Sequence, residues 1–102
     1  MTWDEIIIQL KEWQADPAQL ADESEGMDAP TDKAFRSAID FARFCGRLGV
    51  KDSLRVVSCG DGGLGFEWQY KHQPRREFCE FDEDGGMTSD QFINYIKTEP
   101  SP

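Results

Sequence analysis

Residues 54 to 87 read LRVVSCGDGGLGFEWQYKHQPRREFCEFDEDGGM, and this stretch decides the fold. Its centre alternates strictly, with Leu64, Phe66, Trp68 and Tyr70 on one side and Gly65, Glu67 and Gln69 on the other, the period of a half-buried strand. Two Asp-Gly-Gly tripeptides, Asp61-Gly62-Gly63 and Asp84-Gly85-Gly86, and a Lys71-His72-Gln73-Pro74 segment punctuate it. The stretch therefore predicts three antiparallel strands joined by tight turns.

Turn geometry sets the expected register. Pairing Tyr70 with Arg75 places Trp68 opposite Glu77, Phe66 opposite Cys79 and Leu64 opposite Phe81. Asp61-Gly62 suits a type I′ turn, which pairs Cys59 with Leu64, Val57 with Phe66 and Arg55 with Trp68. One face is then expected to carry Val57, Cys59, Leu64, Phe66, Trp68, Cys79 and Phe81. The other shows Val56, Ser58, Glu67, Gln69, Arg76, Phe78 and Glu80. On that second face Glu67 lies diagonally across from Arg76, an ion pair or, with Gln69 and Phe78, a polar recognition patch.

Two helices are expected before the strands. Thr2 and Glu5 have capping-box spacing, and Trp3, Ile6, Ile7, Leu10 and Trp13 follow at helical intervals over residues 2–14. Ile8 falls on the polar side. The second helix starts at Pro30-Thr31 and stops at Gly49. Phe35, Ala38, Ile39, Ala42, Cys45 and Leu48 form its apolar side, with Phe41 at the edge. Lys33, Arg36, Arg43 and Arg47 gather on the opposite side, with Lys51 just beyond.

Between these helices, residues 15–30 hold Asp16, Asp22, Glu23, Glu25 and Asp28 with no Lys or Arg, and Asp32 follows. Periodicity is lost there, so a long solvated acidic loop is expected, with a helical turn near Pro17 to Leu20. After the second Asp-Gly-Gly, a third short helix fits residues 89–97. The alternative is a fourth strand through Phe92, Asn94 and Ile96. Residues 98–102, with two prolines, are expected to fray.

At 102 residues the chain makes a single domain. Its net charge of −9 argues against general affinity for nucleic acid or an anionic membrane. The three cysteines, Cys45, Cys59 and Cys79, cannot pair completely and have no CxxC spacing, which predicts a reduced, cytoplasmic protein. Acidic residues at positions 4 and 5, and an apolar run of only Ile6-Ile7-Ile8, predict neither secretion nor membrane insertion.

No set of residues has the pattern of a reaction centre. The one histidine, His72, falls in a turn, and with Cys59 and Cys79 it matches no zinc spacing. Asp82, Glu83 and Asp84 begin like a calcium loop, but no bidentate glutamate follows at the required distance. No metal, cofactor or catalytic residue is expected, and a non-enzymatic role follows.

The segment Asp61-Gly62-Gly63-Leu64-Gly65-Phe66-Glu67-Trp68, with a helix before it and a strand ending in Asp-Gly-Gly after it, resembles a group of small bacterial proteins, mostly uncharacterised. The resemblance covers about residues 34–87 and implies an α+β domain and a bacterial source. It implies no activity, and the acidic loop is not part of it.

The sequence thus predicts an α+β domain, a three-stranded antiparallel meander covered on one face by two or three helices. The expected function is a protein-interaction module presenting the acidic loop to a basic site on a protein partner, as an inhibitor or antitoxin imitating nucleic acid would. The alternative is nucleic-acid binding through Lys33, Arg36, Arg43, Arg47 and Lys51, masked by the acidic loop. Convergence of Ile8, Phe44 and Phe78 into one apolar patch would indicate a homodimer or a partner groove.

Overall fold

The computed structural model describes residues 1–53, 55–68 and 77–88, with the backbone alone of Glu77. Helix α1 spans Trp3–Ala15 and helix α2 spans Asp32–Leu48. Strands β1 (Arg55–Ser58), β2 (Leu64–Trp68) and β3 (Glu77–Phe81) form an antiparallel sheet in the order β1-β2-β3. The expected elements beyond Thr88, whether third helix or fourth strand, and the tail 98–102 lie outside the described residues. So do Leu54, Gln69, Tyr70, His72 and Arg76.

Local chemistry sets the helix ends as the sequence predicts. Thr2 and Glu5 make a full capping box on α1. Thr31 Oγ1 accepts from Ala34 N at 3.1 Å and caps α2. Gly49, at φ 70°, closes α2, and Val50 N donates back to Cys45 O at 3.0 Å, a Schellman ending that needs the left-handed backbone glycine allows.

Aromatic rings build the core. Phe41 sits at its centre, 5.2 Å from Phe66, 5.4 Å from Phe81, 6.3 Å from Trp3 and 6.5 Å from Trp68 between ring centroids. The wheel places Phe41 at an edge, but α2 turns that edge toward both β2 and β3. The Trp3 and Trp68 indoles donate to Val50 O and Lys51 O at 2.9 and 2.8 Å. Two adjacent carbonyls of the α2–β1 connection are thus satisfied by two core tryptophans, which buries both indoles without stranding an N–H.

Leu48, expected on the apolar side of α2, is exposed. It lies two residues, or about 200° around the helix, from Gly46, the position that meets Trp3. The last turn of α2 is held from that side, and Leu48 points away from it.

The β2–β3 register is as expected, with Leu64 opposite Phe81, Phe66 opposite Cys79 and Trp68 opposite Glu77. The β1–β2 register is shifted by one. Ser58 pairs with Leu64, Val57 with Gly65, Val56 with Phe66 and Arg55 with Glu67. Val56 is therefore in the core, whereas Val57 and Cys59, expected on the Phe66 side, belong to the other face. The connecting loop is one residue longer than a four-residue turn. Gly60 and Gly62 take positive φ, and Cys59 N donates to Gly63 O at 3.1 Å. The cause is tertiary: Asp28 N donates to Gly60 O and Thr31 N to Gly62 O, at 2.8 and 3.0 Å. A compact type I′ turn would not present both carbonyls to that segment.

The exposed apolar residues do not make one patch. Phe78 lies over Gly65 on the sheet face opposite Phe66, while Ile8 and Phe44 sit on α1 and α2, whose Trp3 and Phe41 contact Phe66. No described helix is long and apolar enough to cross a membrane.

Candidate functional site

The acidic loop is solvent-exposed along residues 21–28 and has the expected turn at Pro17–Leu20, and it holds more backbone structure than the sequence predicts. Pro17–Leu20 and Glu23–Glu25 are short 3-10 turns. Asp22 and Met27 exchange backbone hydrogen bonds at 2.9 and 2.8 Å, closing residues 22–27 into a tab that Gly26 turns at φ 68°. Inside the tab Asp22 Oδ1 accepts from Ser24 N and Ser24 Oγ at 3.0 and 2.6 Å. These bonds, the Ser24 hydroxyl first, hold the Asp22 carboxyl below its ordinary pKa.

Three loops meet at this end of the molecule. The tab is followed by the Asp28–Gly60 and Thr31–Gly62 bonds, which tie it to the β1–β2 turn. Thr31 Oγ1 also donates to Glu83 O, which ties both to the turn after β3. That turn is built around Asp82, whose Oδ1 accepts from Asp84 N at 3.0 Å and Gly86 N at 2.8 Å. In the β1–β2 turn Asp61 Oδ1 accepts from Gly63 N at 3.0 Å. Gln14 Nε2, near the end of α1, reaches Asp32 Oδ1 at 3.4 Å, so the C-terminus of α1 joins the same end.

Apart from Asp32, which meets Arg36 and Gln14, the carboxylates at this end divide into two groups. Asp22, Asp61 and Asp82 accept backbone hydrogen bonds and shape their loops. Asp16, Glu23, Glu25, Asp28, Glu83 and Asp84 are all exposed, and among the described residues their side chains make no hydrogen bond or ion pair. Among the described residues no group of three His, Cys, Asp or Glu is placed to hold a metal ion. The arrangement is an extended anionic surface, with a field summed over several carboxylates.

The sequence singles out Asp16, Asp22, Glu23, Glu25, Asp28 and Asp32 but treats Asp61 and Asp82–Asp84 only as turn residues. What joins them is two backbone bonds and one from the Thr31 hydroxyl, between segments far apart in the chain, which leaves no periodic signal.

The basic residues of α2 are exposed but partly neutralised within the helix. Arg36 Nε meets Asp32 Oδ2 at 2.8 Å, and Arg43 lies 3.9 Å from Asp40. Lys33 and Arg47 are exposed and Lys51 is half-buried. The tab's backbone bonds run to the β1–β2 turn, and among the described residues no ion pair joins residues 16–28 to this stripe.

Of the polar patch, Glu67 and Phe78 are described, and Gln69 and Arg76 are not. Glu67 is buried and takes Arg55 Nε at 2.8 Å, a partner that only the shifted β1 register supplies. The three thiols are held in the protonated form. Burial is the largest cause in each, and it pushes Cys45, Cys59 and Cys79 up to about 12. For Cys59 a hydrogen bond to Glu80 adds to this.

No family model, no curated protein and no solved structure matches this chain.

Proposed function

We propose that this chain is a non-enzymatic protein-interaction module of the bacterial cytosol, which presents its acidic end to a basic site on a partner protein. In this reading both helices cover the Phe66 face of the sheet, and the carboxylates of the 22–27 tab, Asp28 and the 82–86 turn form the contact surface. The observation that carries it is the set of bonds from Asp28 to Gly60, Thr31 to Gly62 and Thr31 to Glu83. They fix the acidic loops before any partner arrives, so binding does not have to order them. Carboxylates carried on loops held in this way also steer a basic partner and reject acidic ones.

A sharper form is that the surface imitates the phosphates of a nucleic acid and blocks a nucleic-acid-binding protein, as an inhibitor or antitoxin does. Direct nucleic-acid binding through the α2 stripe is the weaker alternative, because Asp32 and Asp40 already pair with Arg36 and Arg43.

The test is affinity capture from native lysate with nuclease present, followed by binding of the purified partner to a Glu23→Lys, Glu25→Lys, Asp28→Lys variant. The reading expects affinity to fall by about 100-fold or more at low salt, since each lost charge pair contributes on the order of 1 kcal/mol. Unchanged affinity would refute the acidic contact. Competition by duplex DNA for the same partner separates nucleic-acid imitation from ordinary charge complementarity.

A further inference from the structure

Helix α2 has a second feature, near the end away from the acidic surface. A cleft of about 540 Å³ opens between the first turns of α1 and the C-terminal half of α2, within the roughly 300–1,000 Å³ range of small-molecule sites. Its apolar part is Trp3, Ile7 and the backbone of Gly46, and its charged part is Arg43 and Arg47 from α2 with Asp4 and Asp52.

Two observations give the cleft chemical character. First, its two positive and two negative side chains are not paired with one another. Among the described residues Arg47, Asp4 and Asp52 form no ion pair, and Arg43 meets only Asp40, outside the cleft. Second, packing does not demand Gly46. A Cβ there would meet Trp3 Cβ at 3.5 Å, an ordinary contact, yet the position holds a poor helix former inside a helix. Its missing side chain leaves the cleft floor at this point formed by backbone and the Trp3 Cβ.

A simple anion is attracted by the two arginines and repelled by the two aspartates, and a simple cation meets the reverse. A molecule carrying both charges, with an apolar body between them, satisfies all four. We propose that the cleft binds a short zwitterionic peptide of about two residues. Its carboxylate lies on Arg43 and Arg47, which stand one helical turn apart. Its ammonium lies toward Asp4 and Asp52, and an apolar side chain packs on Trp3 and Ile7 above Gly46.

The experiment is an NMR titration of the full ¹⁵N-labelled chain with the dipeptide Leu-Leu, followed at the Trp3 indole and at the Ile7 and Gly46 amides. N-acetyl-Leu-Leu and Leu-Leu amide serve as the singly charged controls. Saturable shifts confined to the cleft are expected with Leu-Leu, and each control should bind at least about tenfold more weakly, the scale of one charge-assisted hydrogen bond.

Arg47→Gln should weaken Leu-Leu to the level of the amide while leaving the amide's own affinity unchanged. Asp52→Asn should do the same for the acetylated peptide. Both residues are exposed, so neither change threatens the fold. Gly46→Leu should abolish the shifts while the remaining spectrum persists. No shift at about 10 mM Leu-Leu, or equal binding of the charged and blocked peptides, would overturn the proposal.

Discussion

Arg55 and Glu67 stand directly opposite each other on β1 and β2, and Arg55 Nε reaches Glu67 Oε2 at 2.8 Å. The two ends of this pair differ, since the Glu67 side chain is 7% exposed and that of Arg55 57%. Removing the arginine leaves a buried carboxylate with less compensation, while solvent still screens part of the pair. Arg55→Met should therefore destabilise by about 1–2 kcal/mol. Arg36→Met, which breaks a pair exposed on both sides, should cost about 0–1 kcal/mol. Urea unfolding of the two variants side by side checks the difference, and equal costs would contradict it.

Two serines near the sheet should respond with opposite signs. Ser53 is fully buried, and its hydroxyl lies 2.8 Å from Arg55 O and 3.0 Å from Glu67 O. Ser58 Oγ is buried without a hydrogen-bond partner among the described residues. Ser53→Ala should cost about 1–2 kcal/mol, and Ser58→Ala should be neutral or stabilise by up to about 1 kcal/mol. Chemical denaturation reads both, and a destabilised Ser58→Ala would show that its hydroxyl is satisfied.

Two glycines of the hairpin have different obstacles. A Cβ at Gly63 would fall 2.3 Å from the Phe81 carbonyl oxygen, whereas one at Gly65 would meet the tip of the Phe78 ring at 2.5 Å. Backbone cannot step aside as an exposed ring can. Gly63→Ala should cost about 3 kcal/mol or more and Gly65→Ala about 1–2 kcal/mol. Adding Phe78→Ala should relieve most of the Gly65→Ala penalty, a coupling read in a double-mutant cycle. Additive costs would rule out the ring contact as the cause.

The thiols should resist alkylation in the native state. With values pushed up to about 12, Cys45, Cys59 and Cys79 hold very little thiolate at pH 8. Iodoacetamide should label the folded chain at least about 100-fold more slowly than free cysteine, and all three sites should react on unfolding. Cys59, the half-buried one, is the informative site for mass spectrometry. Labelling there at the free rate would show that neither burial nor the Glu80 contact holds its thiol protonated.

Acid should release the 22–27 tab. The folded Asp22 pKa is lowered by its hydrogen bond to the Ser24 hydroxyl, and Glu5 is lowered by its backbone bond from Thr2. A lowered folded pKa contributes stability that is present above the ordinary carboxylate value of about 4 and lost as pH falls through the folded value. The Ser24 and Thr2 amides should therefore lose protection from hydrogen exchange below about pH 4. Asp22→Asn should remove the pH dependence at Ser24 only.

The sequence by itself determined what short-range chemistry decides. The spacing of Thr2 and Glu5, Thr31 before α2 and Gly49 after it set both helices. The alternation from Leu64 to Trp68 set β2 and its pairing with β3. Tertiary structure decided what depends on partners distant along the chain. The carbonyls of Gly60 and Gly62 accept from Asp28 and Thr31, which lengthens the turn and shifts β1 by one residue. Because side chains alternate with a period of two, that single step exchanged Val57 for Val56 in the core. It placed Ser58 against Leu64 and gave Glu67 to Arg55. Those bonds, with the one from Thr31 Oγ1 to Glu83 O, gathered the acidic loop and both Asp-Gly-Gly turns at one end, because a loop's position is fixed by the groups that satisfy its backbone.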